Sequence, residues 1–134
     1  MDKVSPQQRS RNMAAVRTKN TAPELLVRSE LHRLGLRFRL HQAGLPGSPD
    51  IVLKKHGVAV FVHGCFWHSH SCPRGKIPES RPEFWLPKLQ RNSTRDKARA
   101  AELRELGWRI LVVWECETRD PAALRLRLKR YFDV

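Results

Sequence analysis

Residues 50–63 read DIVLKKHGVAVFVH, and this stretch decides the fold. It contains two segments with apolar centres, residues 50–54 and 58–63, joined by a short turn that ends in Gly57. Two strand-like runs separated by a turn that contains glycine are typical of a β-hairpin. The sequence therefore predicts a hairpin at the centre of a sheet.

Further strands and helices are predicted on both sides of this hairpin. Residues 108–115 are strongly apolar and predict a strand buried on both faces, as in a parallel sheet. Residues 37–40 are expected to form a short edge strand. Helices are predicted at residues 5–17, between Thr21 and Gly35, and at residues 87–106 and 121–132. This order of elements predicts an α/β domain whose mixed central sheet is flanked by helices.

Local signals set the bounds of the predicted helices. Thr21 and Glu24 match a capping box, in which the hydroxyl accepts an early backbone N–H and the acid reaches back. Pro87 is tolerated in a first turn but would break a helix interior, so a helix is expected to begin there and to end at Gly107. The apolar positions of the helix between Thr21 and Gly35 are Leu25, Val27, Leu31 and Leu34. Those of the helix at 121–132 are Leu124, Leu126, Leu128 and Phe132.

Length and composition limit the class of protein. The 134 residues suffice for one domain, expected to span residues 1–134 with a basic helical arm at residues 1–20, and exclude a second catalytic domain. The 26 Lys and Arg exceed the 13 Asp and Glu, and the net charge of +13 predicts a polyanionic partner. A hydrophobic content of 40% with four tryptophans excludes a disordered basic tail.

The sequence contains no signal for a membrane or for secretion. No apolar run approaches the roughly 20 residues that cross a bilayer, and the polar N-terminus lacks a secretory signal. A cytoplasmic protein without a membrane partner is therefore expected. In a reducing compartment, an odd number of cysteines favours metal ligation over disulfides.

Residues 63–72 are the part of the chain richest in metal-binding and acid–base side chains. They include three of the six histidines and two of the three cysteines. With a cysteine just past the apolar strand at 108–115, they supply a Cys3His set, which is typical of a structural zinc site. The predicted zinc ligands are Cys65, His70, Cys72 and Cys116. The alternative is a pair of buried thiols with exposed histidines.

His63 and His68 are left outside this zinc site, and both lie close in sequence to the end of the strand that pairs with the one beginning at Asp50. An aspartate with two imidazoles suits hydrated Mg²⁺ and the hydrolysis of a phosphodiester. Asp50 taken alone is also explained by the turn that precedes it.

Two further groups have both a functional and a structural interpretation. Asn92 and Asp96 interrupt the apolar face of the predicted helix at 87–106, either as functional groups or as hydrogen-bonded structural residues. Phe66, Trp67 and Trp85 lie in predicted loops among basic residues, where they either pack over the core edge or stack on bases.

Together these residues resemble the very short patch repair endonucleases, bacterial enzymes that nick DNA at T:G mismatches. The similarity covers most of the chain in the same order, and its most specific parts are residues 63–72 and Trp114-Glu115-Cys116. Residues 10–13, 21–24, 45–50, 83–86, 91–92, 95–96 and 105–113 also match. The resemblance implies a fold like that of type II restriction endonucleases.

The resemblance also implies roles for individual residues. Asp50 matches the acid that binds Mg²⁺, and the second protein contact of that metal would be the backbone carbonyl of Val62. His63 and His68 match the catalytic histidines, and Asp96 would orient His68. Glu24 matches a further active-site acid, beside its possible role in the capping box. The zinc ligands of the family match Cys65, His70, Cys72 and Cys116.

The contacts with DNA are implied in the same way. Phe66, Trp67 and Trp85 match aromatic residues that enter the duplex beside the mismatch. Lys88 and Asn92 match residues near the mismatched pair. Met13, with Val16, would belong to an N-terminal helix that contacts the opposite groove.

The expected activity is a Mg²⁺-dependent nick in duplex DNA at the T:G mismatch left when 5-methylcytosine deaminates. A monomer associated with the nucleoid is expected, with a cytosine-5 DNA methyltransferase as its functional companion. Residues 61–63 lack the acid-x-Lys pair of ordinary members of the wider nuclease superfamily, and Ser69 and Ser71 replace histidines that some members have. One alternative is a restriction or defence nuclease with a different site. The other is a DNA-binding module that is stabilised by zinc and has no activity.

Overall fold

The predicted hairpin forms the middle of the sheet in a computed structural model that describes residues 20–75 and 81–134. The predicted helix at 5–17, with Met13 and Val16, lies outside these residues. The elements in chain order are helix α1 (Ala22–Arg33), strands β1 (Arg39–Leu40), β2 (Ile51–Leu53) and β3 (Val58–His63), helix α2 (Pro82–Glu105), strand β4 (Arg109–Trp114) and helix α3 (Pro121–Phe132).

Within the described residues, the sheet has the strand order β1-β2-β3-β4 and is mixed, as predicted. β1 and β3 each run antiparallel to β2, and β4 runs parallel to β3. The hairpin turn is a 3-10 turn at Lys54–His56 that ends at Gly57, whose φ of 66° lies in the left-handed region that glycine favours. In the parallel pair, His63 lies opposite Trp114, so both strands end at the same edge.

Helices α1 and α3 pack on one face of the sheet and enclose the main core with it. Alternate residues of β2, β3 and β4 face these helices, which is the period-2 pattern of a strand. The core consists of Val27, Leu31, Leu36, Ile51, Leu53, Val58, Val60, Leu111, Val113, Leu124, Leu128 and Phe132. Two residues assigned to the apolar helix faces, Leu25 and Leu126, are instead 46% and 48% exposed. Each lies two residues from a buried neighbour, which is about 200° around a helix.

Strand β4 differs from the prediction of a strand buried on both faces. Leu111 and Val113 are buried in the core, whereas Ile110, Val112 and Trp114 on the opposite face are only half-buried. Among the described strands β4 pairs only with β3, and its second face is covered partly by α2. The apolar run indicated a buried strand correctly but overstated how completely it is covered.

Helix α2 begins five residues earlier than predicted. Pro82 occupies the first turn, and Pro87 lies inside the helix. Pro87 lacks the N–H that would bond the carbonyl of Glu83, a loss that is tolerated here because both residues are exposed. The predicted end is confirmed, since Leu106 caps the helix and Gly107 has a φ of 93°.

The start of α1 confirms only half of the predicted capping box. The Thr21 hydroxyl accepts the backbone N–H of Glu24 at 3.3 Å. The Glu24 carboxylate does not reach back; it hydrogen-bonds Arg28 and His41 instead. None of the helices in residues 20–75 and 81–134 is long and apolar enough to cross a membrane.

Candidate active site and metal centre

Asp50 is held at the point where the chain enters β2. The backbone N–H of Val62 donates to its Oδ2 at 2.7 Å, and its own carbonyl accepts the N–H of His41 at 3.0 Å. Burial raises the pKa of Asp50 to about 6, with a further contribution from the Glu24 charge and an opposing one from the Val62 N–H. The alternation of side chains along a strand places Asp50 and His63 on the same face of the sheet.

Glu24 lies beside Asp50 and is almost fully buried, with 1% of its surface exposed. Arg28, one turn along α1, donates to Glu24 Oε2. Both carboxylate oxygens lie 3.1 Å from Nε2 of His41. One ligand atom from each of Glu24, His41 and Asp50 lies within 4.8 Å of the others, so the three can surround one cation.

The sequence analysis missed His41. The signal that could have found it is the pairing of the edge strand: Leu40 lies opposite Ile51, which puts the residue after β1 opposite Asp50. A strand of two residues has too little alternation to fix this register from sequence.

A second cluster consists of His63, His68 and Asp96. The Nδ1–H of His68 donates to Asp96 Oδ2 at 2.6 Å, and the two imidazole rings stack with centroids 3.8 Å apart. Burial, followed by the nearby His68, lowers the pKa of His63 to about 4. His63 is therefore uncharged at neutral pH, whereas His68 is held by a carboxylate.

The four residues predicted to bind zinc are brought together. Ligand atoms of Cys65, His70, Cys72 and Cys116 lie within 4.8 Å of one another. The N–H of Cys116, just past β4, donates to Cys65 Sγ at 3.4 Å, and its own sulfur lies 3.6 Å from His70 Nδ1. Burial raises the pKa of the Cys65 thiol to about 12. Three sulfurs and one imidazole nitrogen at this spacing match the donor set of a closed zinc site.

The three predicted DNA-contacting aromatic residues also form one cluster. Phe66 makes edge contacts with Trp67 and Trp85 at centroid distances of 5.1 Å each. Phe84, for which no role was predicted, contacts Trp85 at 4.9 Å and is 48% exposed. Trp67 is 39% exposed, so the cluster has an open apolar face.

Helix α2 supplies polar residues to the loop that follows β3. Lys88 Nζ lies 5.3 Å from the centre of the Trp67 ring, and Asn92 Nδ2 donates to the Trp67 carbonyl at 3.1 Å. Asn92 and Asp96 therefore bond to this loop rather than to each other. Both residues therefore connect α2 to the loop after β3.

Comparison with known proteins identifies the family. The family described as DNA mismatch endonuclease Vsr matches residues 1–74, which include Glu24, Asp50, His63 and His68. The protein named DNA mismatch endonuclease Vsr from Escherichia coli is 49% identical over 116 residues, which are 87% of this chain and 74% of that protein. This chain belongs to the Vsr family.

Two type II nicking enzymes are similar over almost the whole chain. The type II nicking enzyme V.XorIIP from Xanthomonas oryzae is 50% identical over 132 residues, covering 98% of this chain and 97% of that protein. The type II nicking enzyme V.NmeAIP from Neisseria meningitidis is 44% identical over 129 residues, covering 96% and 92%. The resemblance drawn from the sequence is confirmed, and membership of this endonuclease family makes the protein a phosphodiester hydrolase.

Proposed function

We propose that this protein nicks one strand of duplex DNA at the T:G mismatch left by deamination of 5-methylcytosine, and so initiates very short patch repair. The observation that carries the proposal is that Glu24, His41 and Asp50 come together at the start of β2, and His63, His68 and Asp96 come together at the end of the antiparallel β3, so that both clusters lie at the same end of this strand pair. A pair of acids beside a carboxylate-held imidazole is suited to hydrolysis of a phosphodiester.

The acid cluster fits Mg²⁺. Asp50 and Glu24 are carboxylates close together, and the charge of Glu24, which is almost fully buried, helps to raise the pKa of Asp50. A divalent cation removes this repulsion, and carboxylate oxygens are ligands that Mg²⁺ prefers. Asp50 would hold the ion, which when bound neutralises phosphate charge and activates water.

Val62 supports the second protein contact proposed for this ion. Its N–H points to Asp50, as their hydrogen bond shows. The N–H and the carbonyl of one strand residue face the same neighbour in an antiparallel pair. The Val62 carbonyl is therefore on the Asp50 side of β3, where a ligand for the ion is needed.

The histidines divide the proton and phosphate chemistry between them. Since the Asp96 carboxylate accepts the proton of His68 Nδ1, the lone pair of the other ring nitrogen can take a proton, and the protonated ring can then deliver it. His63 is uncharged and stacked on His68, and we assign to it a contact with the scissile phosphate.

We assign the Cys3His cluster to a structural Zn²⁺. The ligands join the loop after β3 to Cys116, two residues past the end of β4. This loop also carries His68, so a metal at this point would fix the distance between the catalytic ring and the sheet.

Recognition of the mismatch is assigned to the aromatic cluster. An apolar wedge favours a weakly paired step because such a step costs less to unstack. Lys88 and Asn92 lie beside the wedge, and the net charge of +13 favours a DNA backbone. Met13, in the N-terminal arm, is proposed to contact the opposite groove.

Further parts of the proposal rest on family resemblance. They are a type II restriction endonuclease-like fold in a single domain, action as a monomer in the cytoplasm at the nucleoid, and a companion cytosine-5 DNA methyltransferase. A second candidate function is nicking with a different site specificity. It is favoured by the similarity to V.XorIIP and V.NmeAIP, which are named as type II nicking enzymes.

A nicking assay distinguishes these functions. Purified protein and Mg²⁺ are added to end-labelled duplexes that differ only in one T:G or C:G pair, in several flanking sequences. A nick confined to the T strand of the mismatched duplexes supports the proposal. Equal cleavage of matched DNA would support the second candidate, and Asp50→Ala serves as the inactive control.

A further inference from the structure

His41 is held in a conformation that ordinary side chains disfavour. Its φ of 47° lies in the left-handed region, although it is not a glycine. This backbone follows β1 directly and is fixed by the bond from the His41 N–H to the Asp50 carbonyl at 3.0 Å. A strained residue beside an acid cluster indicates a role there, provided that its side chain makes specific contacts.

The His41 ring makes such contacts with Glu24. Nε2 lies 3.1 Å from both carboxylate oxygens and 3.3 Å from the Nη2 of Arg28. Because a carboxylate only accepts, Nε2 must carry a proton, and the approach of Arg28 is then not a hydrogen bond. The ring is mostly buried, with 17% of its side chain exposed.

Arg28 cannot replace this contact. Arg28 and Glu24 belong to the same helix, four residues apart, so their ion pair does not fix Glu24 relative to the sheet. His41 bonds the sheet through its backbone and Glu24 through its ring. It therefore sets the distance between the Glu24 carboxylate and Asp50.

We propose that His41 is a positioning residue of the divalent-cation site, whose Nε2–H holds Glu24 in place so that Glu24 and Asp50 face one cation. The inference rests on the proposed function because it assigns the cation to that acid cluster. Partners that orient the ligands of a metal usually change its affinity by about 10- to 100-fold when they are removed.

The test measures Mn²⁺ binding to DNA-free protein by isothermal titration calorimetry, since carboxylate sites for Mg²⁺ also accept Mn²⁺. His41→Ala removes the ring, His41→Phe keeps most of its volume without the N–H, and His41→Gln places an amide N–H near the position of Nε2. We expect the Mn²⁺ dissociation constant to rise about 10-fold or more in the Ala and Phe variants. The Gln variant is expected to restore most of the affinity.

A double-mutant cycle separates positioning from direct ligation. If His41 acts through Glu24, His41→Phe has no further effect on Mn²⁺ affinity in a Glu24→Gln background. An equal loss in both backgrounds would overturn the proposal, and so would unchanged affinity in the Ala and Phe variants. Failure of both variants to fold would overturn it as well, because it would make His41 a structural residue. His32→Ala, on the exposed end of α1, is the control that leaves binding unchanged.

The binding measurement is independent of the proposed substrate. If the wild-type protein binds Mn²⁺ in a His41-dependent way but leaves mismatched DNA intact, the proposed function fails and the positioning role stands. If it nicks mismatched DNA and the His41 variants bind Mn²⁺ like wild type, only the positioning role fails. At saturating cation, the Ala and Phe variants are expected to keep their KM for DNA.

Discussion

Nδ1 of His68 lies 2.6 Å from Oδ2 of Asp96, so the loop after β3 is hydrogen-bonded to the middle of α2. Because the carboxylate can only accept, this single bond sets both the orientation of the ring and the nitrogen that carries its proton. The proposed catalytic geometry thus depends on the packing of α2 against the sheet. A change at Asp96 is expected to affect the chemical step more than the binding of DNA.

Asp96→Asn is expected to lower the rate of nicking by about 10²- to 10⁴-fold, the usual contribution of a positioned acid or base. The amide fits the same space but can donate to Nδ1, which would move the ring proton to the other nitrogen. Single-turnover nicking and DNA binding are measured together. Glu102→Gln, on the same helix and exposed, is the matched control. A loss of DNA binding equal to the loss of rate would contradict the orienting role.

Removal of His70, a proposed zinc ligand, is expected to release the metal and to lower both stability and nicking. The purified protein should contain about one zinc per chain, as a closed Cys3His site requires. His70→Asn is compared with His56→Asn. His56 lies outside the Cys3His cluster, and its ring contacts Phe132. Zinc content is measured by elemental analysis, and thermal unfolding is followed in the same samples. Full zinc content in His70→Asn would show that the cluster is not the zinc site.

Stability is expected to depend on pH through Glu30 of α1. This carboxylate is 2% exposed and bonds Arg125 of α3, and that bond lowers its pKa. A depressed folded-state pKa contributes stability above the unfolded-state pKa, and the contribution is lost as pH falls through the folded-state value. Glu30→Gln should therefore be less stable than wild type near neutral pH, and the difference should shrink in acid. Urea unfolding at a series of pH values measures the difference in stability between Glu30→Gln and wild type. A difference that is constant with pH would refute the prediction.

The sequence was sufficient for the parts of the site that come from one short stretch. Three of the proposed zinc ligands lie within eight residues, and the fourth follows an obvious strand, so the proximity of the four residues could be predicted from spacing and topology. His41 could not be predicted in this way, since its position depends on the register of a two-residue strand. The start of α2 was misplaced because two prolines compete for the first turn, and Pro82, not Pro87, occupies it.

The exposed face of α2 is expected to bind the phosphate backbone of DNA. Arg91 and Arg95 lie one turn apart on this face, and Arg95 donates to Asn92, which bonds the loop of the aromatic cluster. Each phosphate contact that is lost should reduce the slope of log affinity against log salt by about 0.9. Arg91→Ala and Arg95→Ala should weaken binding to matched and mismatched duplexes alike, since phosphate contacts do not read sequence. Arg130→Ala, on α3 across the sheet, is the control of equal charge change. A salt slope that changes as much in Arg130→Ala as in the α2 variants would mean that the DNA does not lie along α2.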